Sequence, residues 1–251
     1  MTNIIMHGCN GKMGQVISSI VAKDPNTQMV AGIDLSPSSA NSYPVFSSLG
    51  QCSVTADVII DFSTAAAVIP LLTDAIEKKL PVVLCTTGLN QKELDFVKIA
   101  SQSIPILFSA NMSLGVNLLI SLAQKAAEIL SPSNFDIEII EKHHNLKIDA
   151  PSGTALAIAD GINDTLNNSL YYKYDRSQER VPRDKKELGI HAVRGGTIVG
   201  EHSVIFAGQD EILELKHSAL SKEIFAVGSV NAAKFLANKT PGLYNMGDLI
   251  G

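Results

Sequence analysis

Short apolar runs at residues 4–6, 29–33, 58–62, 82–85 and 104–108 recur through the first part of the chain, each separated from the next by a helix-like or loop stretch. Runs this short, apolar without strict alternation, suit strands covered on both faces, and their rhythm predicts a parallel βα sheet. Between them, residues 13–22, 65–79 and 91–101 carry apolar side chains at helical spacing. Pro81 and Pro105 stand at the helix-to-strand joints, where a helix must already have stopped. Residues 36–53, rich in Ser, Pro and Asn, read as a loop.

After Asn111 the texture changes. A long apolar helix over 115–130 is ended by Ser131-Pro132-Ser133, and an alternating strand follows over 136–144. The pattern then predicts a helix over 152–166, a polar, mobile loop over 171–188, and strands over 190–194, 201–207 and 211–219. One helix among several sheet-forming runs makes an α+β second domain. The last helical segment, 222–239, fits either domain by pattern alone, and the chain shows no internal repeat or low-complexity tract.

Composition narrows the function. A chain of 251 residues with 45% hydrophobic content fills one large or two modest cores. A net charge of −5, with Lys and Arg scattered rather than striped, argues against a nucleic-acid partner. Cys9, Cys52 and Cys85 are odd in number and form no CxxC pair, which argues against a disulfide framework and a thiolate metal site. A reducing cytoplasm fits this usage. No basic leader precedes the first apolar run and no run approaches about 18 residues, so neither secretion nor membrane spanning is expected.

Ile4-Ile5-Met6 leads into His7-Gly8-Cys9-Asn10-Gly11-Lys12-Met13-Gly14, a strand, a glycine turn and a helix start. In a dinucleotide-binding first βα unit, Gly8 allows the sharp turn, Gly11 lets a pyrophosphate approach the backbone, and Gly14 lets the helix pack close to the sheet. Asp34, at the end of the second strand, is placed to accept hydrogen bonds from the adenosine ribose. The spacing is G-x-x-G-x-x-G rather than the commoner G-x-G-x-x-G, and a plain βα turn of another doubly wound protein would share it.

The stretch Glu141-Lys142-His143-His144-Asn145-Leu146-Lys147-Ile148-Asp149-Ala150-Pro151-Ser152-Gly153-Thr154-Ala155 gathers two imidazoles, an amine and an anion-binding helix start. Pro151 ends a loop, and Ser152-Gly153-Thr154 offers N–H groups and hydroxyls to a carboxylate or phosphate. A small anion is therefore expected beside His143, His144 and Lys147, with His able to exchange a proton near neutral pH and Lys able to donate one. Adjacent histidines on a strand face opposite ways, which argues against joint chelation, and no metal is expected.

Here a resemblance becomes specific. E-x-H-H-x-x-K-x-D-A-P-S-G-T over 141–154 resembles the signature of the dihydrodipicolinate reductase family. The likeness takes in the glycine turn, Asp61-Phe62-Ser63, Thr86-Thr87-Gly88, Ser109-Ala110-Asn111-Met112-Ser113-x-Gly115-Val116-Asn117 and Val193-Arg194-Gly195-Gly196-x-Ile198-Val199-Gly200-Glu201-His202. It implies a Rossmann-like dinucleotide-binding domain with a parallel sheet (residues 1–114 with 225–251) and an α+β substrate-binding and oligomerisation domain (115–224). It implies NAD(P)H-dependent reduction of a cyclic dicarboxylate, 4-hydroxy-tetrahydrodipicolinate, to tetrahydrodipicolinate in the diaminopimelate route to lysine. His143 matches the family's acid/base residue and Lys147 its proton donor. His144, Lys147, Ser152, Gly153 and Thr154 match the substrate-carboxylate site.

For the cofactor, the resemblance implies contacts from Gly8, Gly11, Lys12, Met13, Gly14 and Asp34, from Phe62, Cys85, Thr86 and Thr87, and from Ala110, Asn111 and Met112 at a hinge. It also implies that the carboxy-terminal helix returns to the dinucleotide domain and that four copies assemble through the sheets of the second. The chain departs from the family at Leu35, where many members carry Arg; Leu35 cannot pair with a 2′-phosphate, which points to NADH, or to dual use with Lys12 or another cation assisting NADPH. Cys85 replaces a common glycine and reads as a small buried filler. Two rival functions remain: another two-domain amino-acid dehydrogenase, such as one for homoserine or aspartate, which has no reason to keep H-H-x-x-K with S-G-T, and a non-catalytic NADH-binding redox sensor, which needs no acid/base pair.

Overall fold

The computed structural model describes residues 1–36, 41–109 and 111–251. Strand β1 (Thr2–His7) is followed by helix α1 (Lys12–Val21), β2 (Thr27–Ile33), β3 (Val45–Phe46), β4 (Val58–Asp61), α2 (Ala65–Lys78), β5 (Val82–Leu84), α3 (Gln91–Ala100) and β6 (Pro105–Phe108). Asn90 starts α3 with a capping box, accepting from the N–H groups of Lys92 and Glu93 while Glu93 reaches back to the Asn90 N–H. Lys79 ends α2 in the left-handed conformation, which halts the helix before Pro81.

The chain continues with α4 (Leu114–Leu130), a 3₁₀ turn (Ser131–Ser133), β7 (Asp136–His143), α5 (Gly153–Thr165), β8 (Tyr171–Lys173), β9 (Glu187–Arg194), β10 (Gly200–Ala207) and β11 (Ile212–Ala219). It ends with α6 (Glu223–Leu236), β12 (Gly242–Tyr244) and α7 (Met246–Ile250). Backbone proximity divides it into two compact units, Met1–Leu114 with Glu223–Gly251, and Gly115–Lys222.

In the first unit, a seven-stranded sheet among the described residues runs β12-β6-β5-β4-β1-β2-β3, and its strand pairs are parallel. This is the parallel sheet that the run spacing predicts. Its apolar strands are buried on both faces: one core gathers Ile4, Met6, Ile17, Val58 and residues of α6, the other Ile5, Ile59, Leu72, Val97 and Ile106. Helix α6 packs on α1 and on β1, β4, β5 and β6, and so belongs with this sheet. β1 is the switch point of the sheet, with β4 on one side and β2 on the other, where α/β sheets open a crevice beyond their strand ends.

The second unit is a mixed sheet of order β11-β10-β7-β9-β8, with β10 antiparallel to β7 and β11, and β9 parallel to β7 and β8. Its core joins α4 and α5 to the inward faces of β7, β9 and β10 through Leu119, Ile139, Ile158, Ile190 and Phe206.

Two stretches read as loops contain strands. Within 36–53, Val45 and Phe46 pair with Gly32 and Ile33; two residues carry no periodicity, and only the neighbouring strand makes them β. Within 171–188, β8 pairs with the start of β9, and what lies between is tied down rather than loose. The guanidinium of Arg183 donates from Nε to Glu138 at 2.8 Å and from Nη2 to the Ile137 carbonyl at 3.1 Å, while Arg176 donates to Glu187. The partners lie up to 46 positions away, which is why composition alone reads mobility there. The pattern also gives no sign of β12 or α7, both short.

Candidate active site

The glycine turn at the end of β1 is shaped by sterics. Gly8 has φ +81°, a left-handed conformation, and an added Cβ would overlap the Phe62 carbonyl. At Gly14 a side chain would strike Gly8 and Cys9, so this glycine lets α1 approach the turn itself rather than the sheet at large. Gly11 is the N-cap of α1, with no side-chain cap and no acidic residue in the first turn. The helix start therefore keeps N–H groups and positive dipole for an outside anion.

Asp34 follows β2 and reaches back to the turn, accepting from the Asn10 N–H at 3.0 Å and from the Ser36 N–H at 3.0 Å. A cavity of about 270 Å³ opens here, lined among others by His7, Gly8, Gly11, Asp34, Leu35 and Phe62. Leu35 is 88% exposed at its rim. Lys12 is exposed and Met13 packs against the core beneath. Thr86 lies buried beyond β5, its hydroxyl donating to Asp61 at 2.6 Å, and Thr87 is exposed beside it.

Two residues implied as cofactor contacts are core side chains. Met112 and Cys85 both pack in the cluster under α6; burial, with Asp61 nearby, pushes the Cys85 thiol well above its usual range and makes it inert. Only their backbone can face a ligand. Asn111 accepts from the Ser113 N–H through its side chain at 2.9 Å, and Ala110 lies outside the described residues.

The second cluster forms where β7 ends. Alternation along β7 turns Ile137, Ile139, Glu141 and His143 inward; His143 closes the strand and His144 lies just past it. Ser152 caps α5, its hydroxyl accepting from the Ala155 N–H at 3.2 Å, and Gly153 and Thr154 open the helix. Between them, Lys147 closes a turn through its N–H on the His144 carbonyl, and its ammonium pairs with Asp149 at 2.8 Å. That ammonium, with the Gly153 N–H, holds the Asp149 carboxyl below its usual range. A carboxylate of this chain thus uses donors of the kind expected for an outside anion.

The hub of the cluster is Glu141, fully buried. It accepts from both terminal nitrogens of Arg194 at 2.7 Å each, from the Ser152 N–H at 2.9 Å and from His143 Nδ1 at 2.6 Å. Burial pushes this carboxyl up, but Arg194, His143 and Ser152 outweigh it and hold it below its ordinary value. As an ionised carboxylate only accepts, it fixes the proton of His143 on Nδ1 and leaves Nε2 for proton exchange. Edge-on to His143, with ring centres 5.2 Å apart, stands His202. Its Nε2 meets the Ser152 hydroxyl at 3.1 Å, and burial, with His143 beside it, pushes its imidazole down to about 4.

Glu141, Arg194 and His202 appear in the sequence motifs but receive no role there. The alternation of β7 does place Glu141 on the inward face, a signal for a partnered buried charge. Arg194 and His202 come from β9 and β10, and only the sheet register, with His143 opposite Arg194 and Glu141 opposite His202, brings them in.

A parallel sheet of this order, carrying an uncapped glycine turn and an acid beyond its second strand, is the framework of dinucleotide-dependent oxidoreductases. Which of them follows from comparison: the family description "Dihydrodipicolinate reductase, N-terminus" matches residues 2–112 and "Dihydrodipicolinate reductase, C-terminus" matches residues 115–250. The chain belongs to the dihydrodipicolinate reductase family. It is 52% identical over 250 residues to a 4-hydroxy-tetrahydrodipicolinate reductase of Caldanaerobacter subterraneus, covering 100% of this chain and 98% of that one, and 47% identical to one of Clostridium novyi with the same coverage. Among solved structures, the dipicolinate-bound dihydrodipicolinate reductase from Paenisporosarcina sp. TG-14 superposes with a TM-score of 0.83 at 25% identity, covering 98% of this chain and 97% of that one.

Proposed function

We propose that the chain reduces 4-hydroxy-tetrahydrodipicolinate to tetrahydrodipicolinate with a reduced nicotinamide dinucleotide, in the diaminopimelate route to lysine. The observation that carries this reading is the Glu141 hub, which holds a proton-exchanging imidazole and the start of α5 in one hydrogen-bonded unit. Relatives of full length bear the reductase name, and the solved relative is described as binding dipicolinate, a ring with two carboxylates.

The first unit fits the cofactor: the uncapped first turn of α1, beginning at Lys12, would hold its diphosphate and Asp34 its adenosine ribose. Phe62 lines the same cavity, and Thr86 and Thr87 follow the neighbouring strand. When bound, the group supplies hydride to the ring substrate. Leu35 offers no charge for a 2′-phosphate, so NADH is the better match.

In the second unit, Gly153 and Thr154 at the helix start, with Lys147 and His144, hold the carboxylates. His143 Nε2 and the Lys147 ammonium are the groups that place a proton on the carbon beside the reduced one, His143 held in one tautomer by Glu141. The same unit exposes apolar Leu118, Leu122 and Ile129 on α4 and Ile212 and Leu213 on the edge strand β11. A homotetramer built on this unit would cover them.

The test is oxidation of NADH and of NADPH by the purified protein, with substrate generated in place from pyruvate and aspartate semialdehyde. Oxidation that requires both precursors is expected. None with either cofactor overturns the reading.

A further inference from the structure

His7 has no part in the glycine fingerprint, yet it is the last residue of β1 and stands in register with Asp61 of β4. Its Nδ1 donates to Asp61 Oδ1 at 2.6 Å. Asp61 is fully buried, and its other oxygen accepts from the Thr86 hydroxyl at 2.6 Å, which itself accepts from the Ser63 N–H at 3.1 Å. One string of hydrogen bonds thus ties the ends of β1, β4 and β5 together. A carboxylate sunk this deep is costly unless every oxygen is partnered, and here each oxygen fixes one side chain at the sheet's switch point.

The consequence for His7 is geometric. With Nδ1 engaged, Nε2 is the ring nitrogen left over, and the ring, 13% exposed, lines the cavity above Gly8. Asp34 lines the same cavity from the β2 side of β1. A dinucleotide with its adenosine ribose on Asp34 and its diphosphate at the start of α1 would run on through this cavity towards β4, along the side that His7 and Phe62 line.

We propose that His7 is a dinucleotide-binding residue whose Nε2 hydrogen-bonds the nicotinamide-side phosphate or ribose, with Asp61 as its positioning residue. The proposal rests on the cofactor reading above and deepens it by assigning a contact outside the glycine turn. Both possible acceptors lie in the same half of the cofactor, so fragments of the cofactor locate the contact.

The experiment is isothermal titration of the full chain and of His7→Asn with NADH, ADP-ribose and AMP. Asparagine keeps a donor towards Asp61 and deletes Nε2, so the variant retains its thermal unfolding midpoint; His7→Gln, with an amide in reach of the cavity, recovers part of the loss. The expected result is a loss of about five- to tenfold in affinity for NADH and ADP-ribose, the worth of one hydrogen bond, with AMP changed by less than about twofold. Unchanged NADH affinity overturns the proposal, and so does an equal loss for AMP, which would mean that the turn itself had been disturbed. Failure of the unaltered chain to bind NADH would refute the cofactor reading instead.

Discussion

Arg194 meets Glu141 end to end, each terminal guanidinium nitrogen 2.7 Å from one carboxylate oxygen, although 53 positions separate them. The pair lies under the imidazole of His143 and the first turn of α5, so one buried charge holds both parts of the proposed substrate site.

Removing the cation leaves that buried carboxylate with the Ser152 N–H and His143 but without its arginine. Arg194→Ala is expected to destabilise the second unit by about 3–5 kcal/mol, the usual consequence of an unpaired buried charge, whereas exposed Lys98→Ala should change stability by less than about 0.5 kcal/mol. Urea unfolding followed by circular dichroism measures both, and equal effects would argue against a central role for the pair. Because the folded Glu141 carboxyl sits below its ordinary 4.5, its contribution is complete above that value and is lost as the pH falls through the lower, folded value.

His202 gives a separate pH signature. Its imidazole protonates near 6.5 when unfolded and near 4 when folded, so below 6.5 the unfolded chain binds the extra proton. Stability from this group is full above 6.5 and falls away between 6.5 and about 4, by on the order of 3 kcal/mol. The difference in unfolding free energy between wild type and His202→Gln, followed across that window, should slope accordingly. A flat difference would count against the buried neutral imidazole.

His143→Ala is expected to lower kcat by about 10²-fold or more, since a placed proton-transfer group supplies about 10²–10⁴ in rate, with NADH affinity preserved. Lys147→Ala should lower kcat and also weaken pyridine-2,6-dicarboxylate binding in isothermal titration. Near-normal turnover of the first variant, or unchanged dicarboxylate affinity of the second, would withdraw those roles.

Asp149 occupies the Lys147 ammonium and the Gly153 N–H, donors that the proposed function assigns to the substrate carboxylates. Asp149→Ala should therefore bind pyridine-2,6-dicarboxylate more tightly, by about two- to fivefold for an exposed ionic contact. Weaker binding would show that Asp149 holds Lys147 in place for the ligand rather than competing with it.

Leu35→Arg should shift the ratio of kcat/KM for NADPH over NADH upwards by about tenfold or more, since a guanidinium at the cavity rim can pair with a 2′-phosphate. No shift would place specificity elsewhere.

By itself the sequence determined what depends on near neighbours. The five apolar runs, the glycine turn and the Ser152 cap are local, because an apolar strand, a left-handed turn and a helix-start N–H each constrain residues only a few positions apart. The fold class and the His143-to-Thr154 segment were legible for this reason. Only the tertiary structure decided the partners across the sheets: Arg194 and His202 beside Glu141, Asp61 under His7, and the arginines that pin the stretch after β8. It also sent Met112 into the core and made strands of Val45–Phe46 and Tyr171–Lys173. Each of these rests on register between strands tens of residues apart, and a buried charge or a two-residue strand has no periodicity of its own from which that register could be read.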